Sequence, residues 1–514
     1  MNKTMTMLLA ATAIGLASAP ALAQKVLSVG MAAQDVQQLD PHRMTTTQDR
    51  PMASWMFNGL MRSKPGTISL DDLEPDLAES YEVSADRLTW TFKLRRGVQF
   101  HRGFGEMTAD DVVFSIRRAG DSKTSAFASD FAAVDKVEAV DSHTVRITLK
   151  NRVPFLLGSL LNYQGGFIVS KKAVEQFGDN FKLNPVGTGP FAFKEHKSND
   201  RVTFEAHAGH FRGKPKIDTV HYRFIQSDAS RDLAFQANEI QVIYGRQDQV
   251  WAERTKALPN TIVDVIRPAE FGLLHLNTTM KPLDDKRVRL AIAHAVNRDE
   301  VARGRGPLLQ VPGKSMIPTG YVGSDDQVPL PGHDIAKARA LLAEAGFPNG
   351  VQIKAIHTQL PGMLITIQIV QAQLKRAGID MVIDLVDHQT FHAQIRQNLS
   401  GIVHYSAARF PVADIYLTQF YHSRSIIQTP TAVTNFAHCK VADADIEAAR
   451  IETDPAKQKA FWSAAQRKIN DEVCAVALTE SFSVWARKSN VDYGYKAEGF
   501  LNLGPQLTEA STIN

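Results

Sequence analysis

Apolar and polar positions alternate in "RLTWTFKL" (87–94) and "HTVRITL" (143–149), the two-residue period of strands with one buried face. Between them, "MTADDVVFSIRRA" changes period. Thr108 stands at a helix N-cap, and Asp111 follows three residues later as its capping-box partner. Val112, Val113 and Ile116 then form an apolar stripe. This predicts a small sheet-rich unit that carries a helix.

The second half alternates helix and strand text. "LDDKRVRLAIAHAVNRDEVARG" predicts a helix from its acidic start, with Val288, Ile292, Ala295 and Val296 on one face. "HDIAKARALLAEAG" predicts a helix capped at Asp334 and stopped at Gly346. A strand over 351–356, a helix over 363–377, a strand over 381–386, a helix over 391–399 and a short strand over 402–405 follow. That succession implies an α/β lobe with crossover connections. Asp454-Pro455, an N-cap and a first-turn proline, opens a further helix through Ile469. With 514 residues, 44% of them hydrophobic, the chain can bury two or three lobes.

The N-terminus reads differently. Lys3 precedes an apolar run through Leu8, Leu9, Ile14 and Leu16, which ends on Ala21-Leu22-Ala23. This is the three-part pattern of a secretory signal, with the mature chain expected to begin at Gln24. No lipoprotein-type cysteine follows, and no later run reaches the ~20 apolar residues of a membrane helix. Lys and Arg total 58 against 54 Asp and Glu, a net charge of +4 that gives no argument for nucleic acid. Cys439 and Cys474 are the only cysteines. An exported pair is free to bridge, but "INDEVCAVAL" reads more simply as burying a small thiol at Cys474, and two free thiols are expected.

Catalytic motifs are missing. There is no G-x-S-x-G elbow, no H-E-x-x-H and no supported S-x-x-K, so an enzyme is not expected. "VGTGPF" has the wrong glycine spacing for a phosphate loop and suits a turn opening a strand. "PGKS" (312–315) has Leu308 where such a loop needs glycine. His388 with His392, and His207 with His210, have spacings that can share a metal, but two ligands per pair are too few, so no metal and no cofactor are expected.

Several segments, in order, carry a resemblance. "LAESYEVSADRLTWTFKLRRGVQFHRGFGEMTADDVVFSIRRA", "NPVGTGPFAFKEH", "LLHLNTTMKPLDDKRVRLAIAHAVNRDEV" and "ETDPAKQKAFWSAAQRKINDEVCAVALTES" are similar to the signature regions of the bacterial extracellular solute-binding proteins of family 5. These are the periplasmic substrate-binding proteins of peptide and nickel ABC transporters. The resemblance implies a periplasmic-binding-protein-like α/β clamshell of two large lobes plus an accessory lobe. Residues 24–57, 185–268 and 483–514 fall in lobe I, 58–184 in accessory lobe II and 269–482 in lobe III. Two hinge crossings are expected near Pro268–Phe271 and Glu480–Val484. It further implies a periplasmic monomer that takes a small molecule or short peptide between its lobes and delivers it to a membrane permease. A ligand-presenting sensor or chaperone partner, and a nickel-chelate binder, are the rival readings.

The resemblance also bears on the ligand. Dipeptide-binding members carry "W-x-G-D-x-x-D-P-D-N-F" where this chain has "SAARFPVADIYL". In an ungapped register Arg409 replaces the aspartate that grips the peptide ammonium, and Ser406 replaces the tryptophan. Leu360 stands where such members carry an arginine for the peptide carboxylate. An arginine fork favours carboxylate or phosphate over ammonium, because its donors match two oxygens at once. Arg409 is therefore expected to hold an anionic group. Asp414, Phe410, Tyr405, Trp55, His357, Gln359 and Gln48 are expected beside the ligand as polar or apolar walls. An internal ion pair for Arg409, and core positions for Trp55 and the neighbouring Met56, Phe57 and Leu60, are the competing expectations.

Overall fold

The computed structural model describes residues 24–69, 72–153, 155–159, 164–428 and 434–514, so the leader expected over residues 1–23 lies outside it. Two strands, Thr261–Leu276 and Ala475–Lys488, pair antiparallel along most of their length and organise the large sheet. At one end Ala475–Lys488 pairs with Val242–Tyr244. The sheet continues from there through Val26–Met31, Thr219–Phe224, Arg201–Ala206 and Phe191–Lys197. At the other end Thr261–Leu276 pairs with Ile402–Ala407, and the parallel pair Val351–Thr358 and Ile379–Val386 follows. The register between the two long strands shifts between Ile266 and Glu270.

The apolar core divides at the same level. Ile266 and Trp485 belong to a buried cluster with Leu27, Trp55 and Phe204, whereas Phe271 and Ala477 belong to another with Tyr405, Phe410 and Trp462. A third cluster, which includes Val288, Ile292, Leu342 and Leu374, fills the space under the crossover helices of the second body. The strands therefore pass from one core to another, with only a short irregular stretch of paired backbone between. One exception is Leu309, which reaches back to pack with Phe235, Trp251 and Val484 of the first body.

Ala78–Val83, Thr89–Leu94, Thr144–Leu149 and Val134–Asp141 form a separate antiparallel sheet in that order. Helix Ala109–Ala119 packs on it through Val112 and Ile116, and Thr108 and Asp111 close the expected capping box. Phe92, Val112 and Val145 join the same cluster as Leu27 and Trp55, so this accessory unit is continuous in its core with the first body.

Locally capped elements follow the sequence. Asp334 caps Ile335–Glu344, and Asp454 caps Pro455–Glu472. The helix expected across 284–303 instead divides into Lys286–Ala295 and Arg298–Arg303. Val296 leaves the helical region, and the Asn297 side chain accepts from the Glu300 amide at 3.0 Å, starting a new N-terminus. The expectation of free thiols is also wrong. Cys439 and Cys474, 35 residues apart, form a disulfide with a Cα–Cα distance of 5.8 Å, as an oxidising compartment allows.

Candidate functional site

The segment after strand Ile402–Ala407 turns through Arg409-Phe410-Pro411 and enters helix Ala413–Tyr421. Three contacts fix Arg409. Its Nε donates to Gln419 Oε1 at 2.5 Å, its Nη1 donates to the Ala408 carbonyl at 3.1 Å, and its Cζ lies 5.5 Å from the centre of the Phe420 ring. Its backbone amide donates to the Tyr416 hydroxyl at 3.1 Å. Among the described residues no carboxylate pairs with Arg409, and Nη2 donates to none of them. The internal ion pair is therefore absent, and one edge of the fork remains available.

Arg50 comes from the first body, at the start of helix Arg50–Met56. It is buried, with Nη2 donating to the Leu501 carbonyl at 3.0 Å. Burial, and then the opposing charge of Arg409, push Arg50 down to about 9, while Glu270, Tyr416 and Tyr321 act the other way. Two guanidinium groups from different bodies thus face one seam. Next to them lies a cavity of about 320 Å³ at the level of the crossing strands, lined in part by Thr47, Tyr244, Gln247, Glu270, Arg305 and Ser483. Arg305 is shifted downward by burial, with Glu270 offsetting that, and its Nε donates to the Gln247 carbonyl at 3.2 Å. Ser483 Oγ is buried without a hydrogen-bond partner. Arg50, Arg305 and Arg409 offer guanidinium donors suited to a small anion, with Glu270 acting on Arg50 and Arg305 and Asp248 on Arg305.

A larger cavity of about 510 Å³, walled in part by Phe57, Asn58, Arg62, Asp76, Phe167 and Phe500, opens between the accessory unit and the C-terminal segment. Arg409 lines neither cavity. The arginine seam brings charged side chains of both bodies together.

The other expected residues separate into two groups. Phe410 is buried beside Arg409, and its ring rests on Gly158 of the accessory unit, where a Cβ would come within 2.3 Å of Cζ. Tyr405 packs on Phe420, the ring beneath Arg409, at 6.3 Å between centroids. Gln48 is half-buried one residue from Thr47, and its carbonyl accepts from Tyr222. Gln359 is exposed, at the entrance to helix Pro361–Arg376.

Three of the expected residues are engaged by the protein itself. Asp414 turns into the second body, where Arg450 grips both of its oxygens at 2.9 and 3.3 Å. His357 spends both ring nitrogens on protein, at 2.9 Å from the Thr358 carbonyl and 3.0 Å from His404 Nδ1. Burial pushes it down to about 4. Trp55 is fully buried between Phe204 and Tyr222, with Nε1 donating to the Pro505 carbonyl at 2.9 Å. Sequence reasoning missed Arg50, Glu270 and Arg305. The signal for Arg50 was present, a cation opening the otherwise apolar helix "RPMASWM"; Glu270 and Arg305 become neighbours only through the fold.

The members of each expected histidine pair lie close together, and His101 adds a third ring 4.9 Å from His207 between ring centres. His388 and His392 approach at 3.2 Å between Nε2 atoms, and His207 lies beside His210 at 6.2 Å between ring centres. No group of three or more potential metal ligands occurs among the described residues.

Two α/β bodies joined by paired crossing strands, with a charged seam between them, define a solute-binding clamshell. The family model for bacterial extracellular solute-binding proteins, family 5 Middle, matches residues 72–428, and the chain belongs to that family. It is a substrate-binding component of an ABC importer. The solved structure of MoaA from A.tumefacien R10, in complex with mannopinic acid, is 49% identical over 96% of this chain and 100% of that one, with a TM-score of 0.90. The DppA periplasmic binding protein from Helicobacter pylori, in complex with the peptide STSA, is 26% identical over 95% and 98%, with a TM-score of 0.83. The glutathione-binding protein GsiB of Salmonella choleraesuis (strain SC-B67) is 29% identical over 496 residues, 93% of this chain and 94% of its own.

Proposed function

We propose that this protein captures a small carboxylate-bearing, hydroxyl-rich solute of the mannopinic acid type in the periplasm and hands it to a membrane permease without chemical change. One observation carries this reading: Arg50 and Arg409, brought together from the two bodies, oppose each other electrostatically across the seam. An anion lying between the two arginines is attracted by both, so ligand charge and lobe closure are coupled. The likeness to MoaA, in complex with mannopinic acid, supports the same ligand class. A zwitterionic dipeptide fits less well, because its ammonium would meet Arg409 in place of an aspartate.

In this reading Arg409 and Arg50 hold the carboxylate, and Phe410 and Tyr405 form apolar walls. Gln48, Gln359, Thr47, Glu270, Arg305 and Ser483 supply polar contacts. Lobe I takes residues 24–57, 185–268 and 483–514, lobe II takes 58–184 and lobe III takes 269–482. The hinges are the crossings at Pro268–Phe271 and Glu480–Val484, where the core changes hands. The protein works as a monomer, leaves its signal at Ala23 and does not bind nucleic acid. Calorimetric titration of the leader-free protein with mannopinic acid, glutathione and a dipeptide tests this. Saturable heat with mannopinic acid is expected, lost on Arg409→Glu. Binding by the dipeptide alone sinks the assignment.

A further inference from the structure

The side chain of Gln419 bridges two parts of the molecule that are far apart in sequence. Its Oε1 accepts from Arg409 Nε at 2.5 Å, and its Nε2 donates to Asp130 Oδ1 at 3.0 Å, across 289 residues. The amide orientation follows from chemistry: an arginine Nε–H can only donate, and an ionised carboxylate can only accept. Only one orientation satisfies both. Gln419 is 8% exposed, sits in helix Ala413–Tyr421 and uses its own carbonyl to accept from Thr434 at 2.9 Å. Asp130 lies in the short turn Ala128–Phe131 of the accessory unit. The next residue after Arg409, Phe410, rests on Gly158 of that same unit.

Resting on the anion-binding reading above, we infer that Gln419 is a positioning residue that couples the aim of Arg409 to docking of the accessory lobe through Asp130. The amide fixes the Nε edge of the guanidinium, and Nη2 donates to none of the described residues. The same amide completes its second hydrogen bond only when the accessory lobe has closed onto the second body. A lobe that opens withdraws Asp130 and leaves the Gln419 amide without its acceptor, so Arg409 is steered most firmly in the closed form. Anchoring one edge lowers the entropy lost when the other edge meets an anion. Asp130 is linked to Arg409 through this amide, so its removal reads the coupling.

The test compares ligand-free wild type, Asp130→Ala, Asp130→Asn, Gln419→Leu and the Asp130→Ala/Gln419→Leu double variant by small-angle scattering. This arm does not depend on which solute binds. Asp130→Ala and Gln419→Leu are each expected to raise the radius of gyration, and the double variant to add nothing to Gln419→Leu. Asp130→Asn retains an acceptor oxygen and is expected to stay near wild type, which a loss of general stability would not reproduce. Unchanged scattering in both single variants, or additive changes in the double, overturns the inference. Mannopinic acid titrations form the second arm. If wild type binds, Asp130→Ala should weaken binding about tenfold through faster release, and an affinity unchanged by Asp130→Ala overturns the coupling. If wild type shows no heat while the scattering cycle is non-additive, the ligand assignment fails and the coupling stands.

Discussion

Arg50 and Arg409 enter the same seam from opposite bodies, and the charge of Arg409 disfavours that of Arg50. Neither body alone holds this arrangement. Arg409 bonds to neutral partners, the Gln419 amide and the Ala408 carbonyl. A third cation, Arg305, stands further along the seam beside Glu270.

Arg409→Glu should lower affinity for an anionic solute by about 100-fold or more, the range for losing a buried charged partner. Its melting temperature should stay near that of wild type, because no ion pair within the protein is broken. Calorimetry and thermal melts on the same samples check both halves. A large fall in melting temperature would show that Arg409 serves the fold instead.

Phe410 rests on Gly158, where the absence of a Cβ makes room for the ring. Gly158→Ala places a methyl group 2.3 Å from the ring's Cζ unless something moves. Affinity should fall about tenfold, consistent with overpacking costs of roughly 1–3 kcal/mol. Phe410→Leu in that background should restore part of the loss. Titration of the three variants measures it, and no rescue would count against a direct contact on closing.

His275 is boxed by Phe420, Tyr421 and Phe436, neither ring nitrogen has a partner, and burial pushes it down to about 3. The folded value lies below the usual 6.5, so the neutral ring's contribution is complete above pH 6.5 and is lost as pH falls toward 3. His275→Phe should therefore flatten the acid limb of the stability profile. At pH 4.5 the difference should reach about 2–3 kcal/mol, from roughly 1.4 kcal/mol per pH unit. Urea unfolding at pH 7.5 and pH 4.5 gives the comparison, and equal slopes with pH for both proteins would refute it.

The Cys439–Cys474 disulfide closes a loop of 35 residues within the second body. Loop-entropy scaling gives it about 3–4 kcal/mol. A Cys439→Ser/Cys474→Ser variant should lose that much in urea unfolding, and wild type with reductant should behave alike. A variant as stable as oxidised wild type would contradict the value.

What the sequence disclosed was local. Thr108 with Asp111, Asp334, and Asp454 with Pro455 announce helices because a cap and its target lie within a few residues. The break at Val296 was also within reach, since Asn297 and Glu300 have cap spacing, but the continuous apolar face concealed it. Long-range facts were hidden. Nothing in the text near Cys439 points to Cys474, and nothing near Arg409 points to Arg50, some 360 positions earlier. The partner of Asp414 was hidden for a related reason: Arg450 arrives from another helix. Arg409 itself was readable because a charge among alanines, phenylalanine and proline is costly unless something holds it.

The account rests on an anion being what draws the two arginines together, and calorimetry with mannopinic acid and its esterified form addresses that claim directly. The acid should bind wild type with a single saturable isotherm, and the ester, in which the carboxylate charge is removed, should bind at least 100-fold more weakly. Equal affinity for both forms would contradict the account.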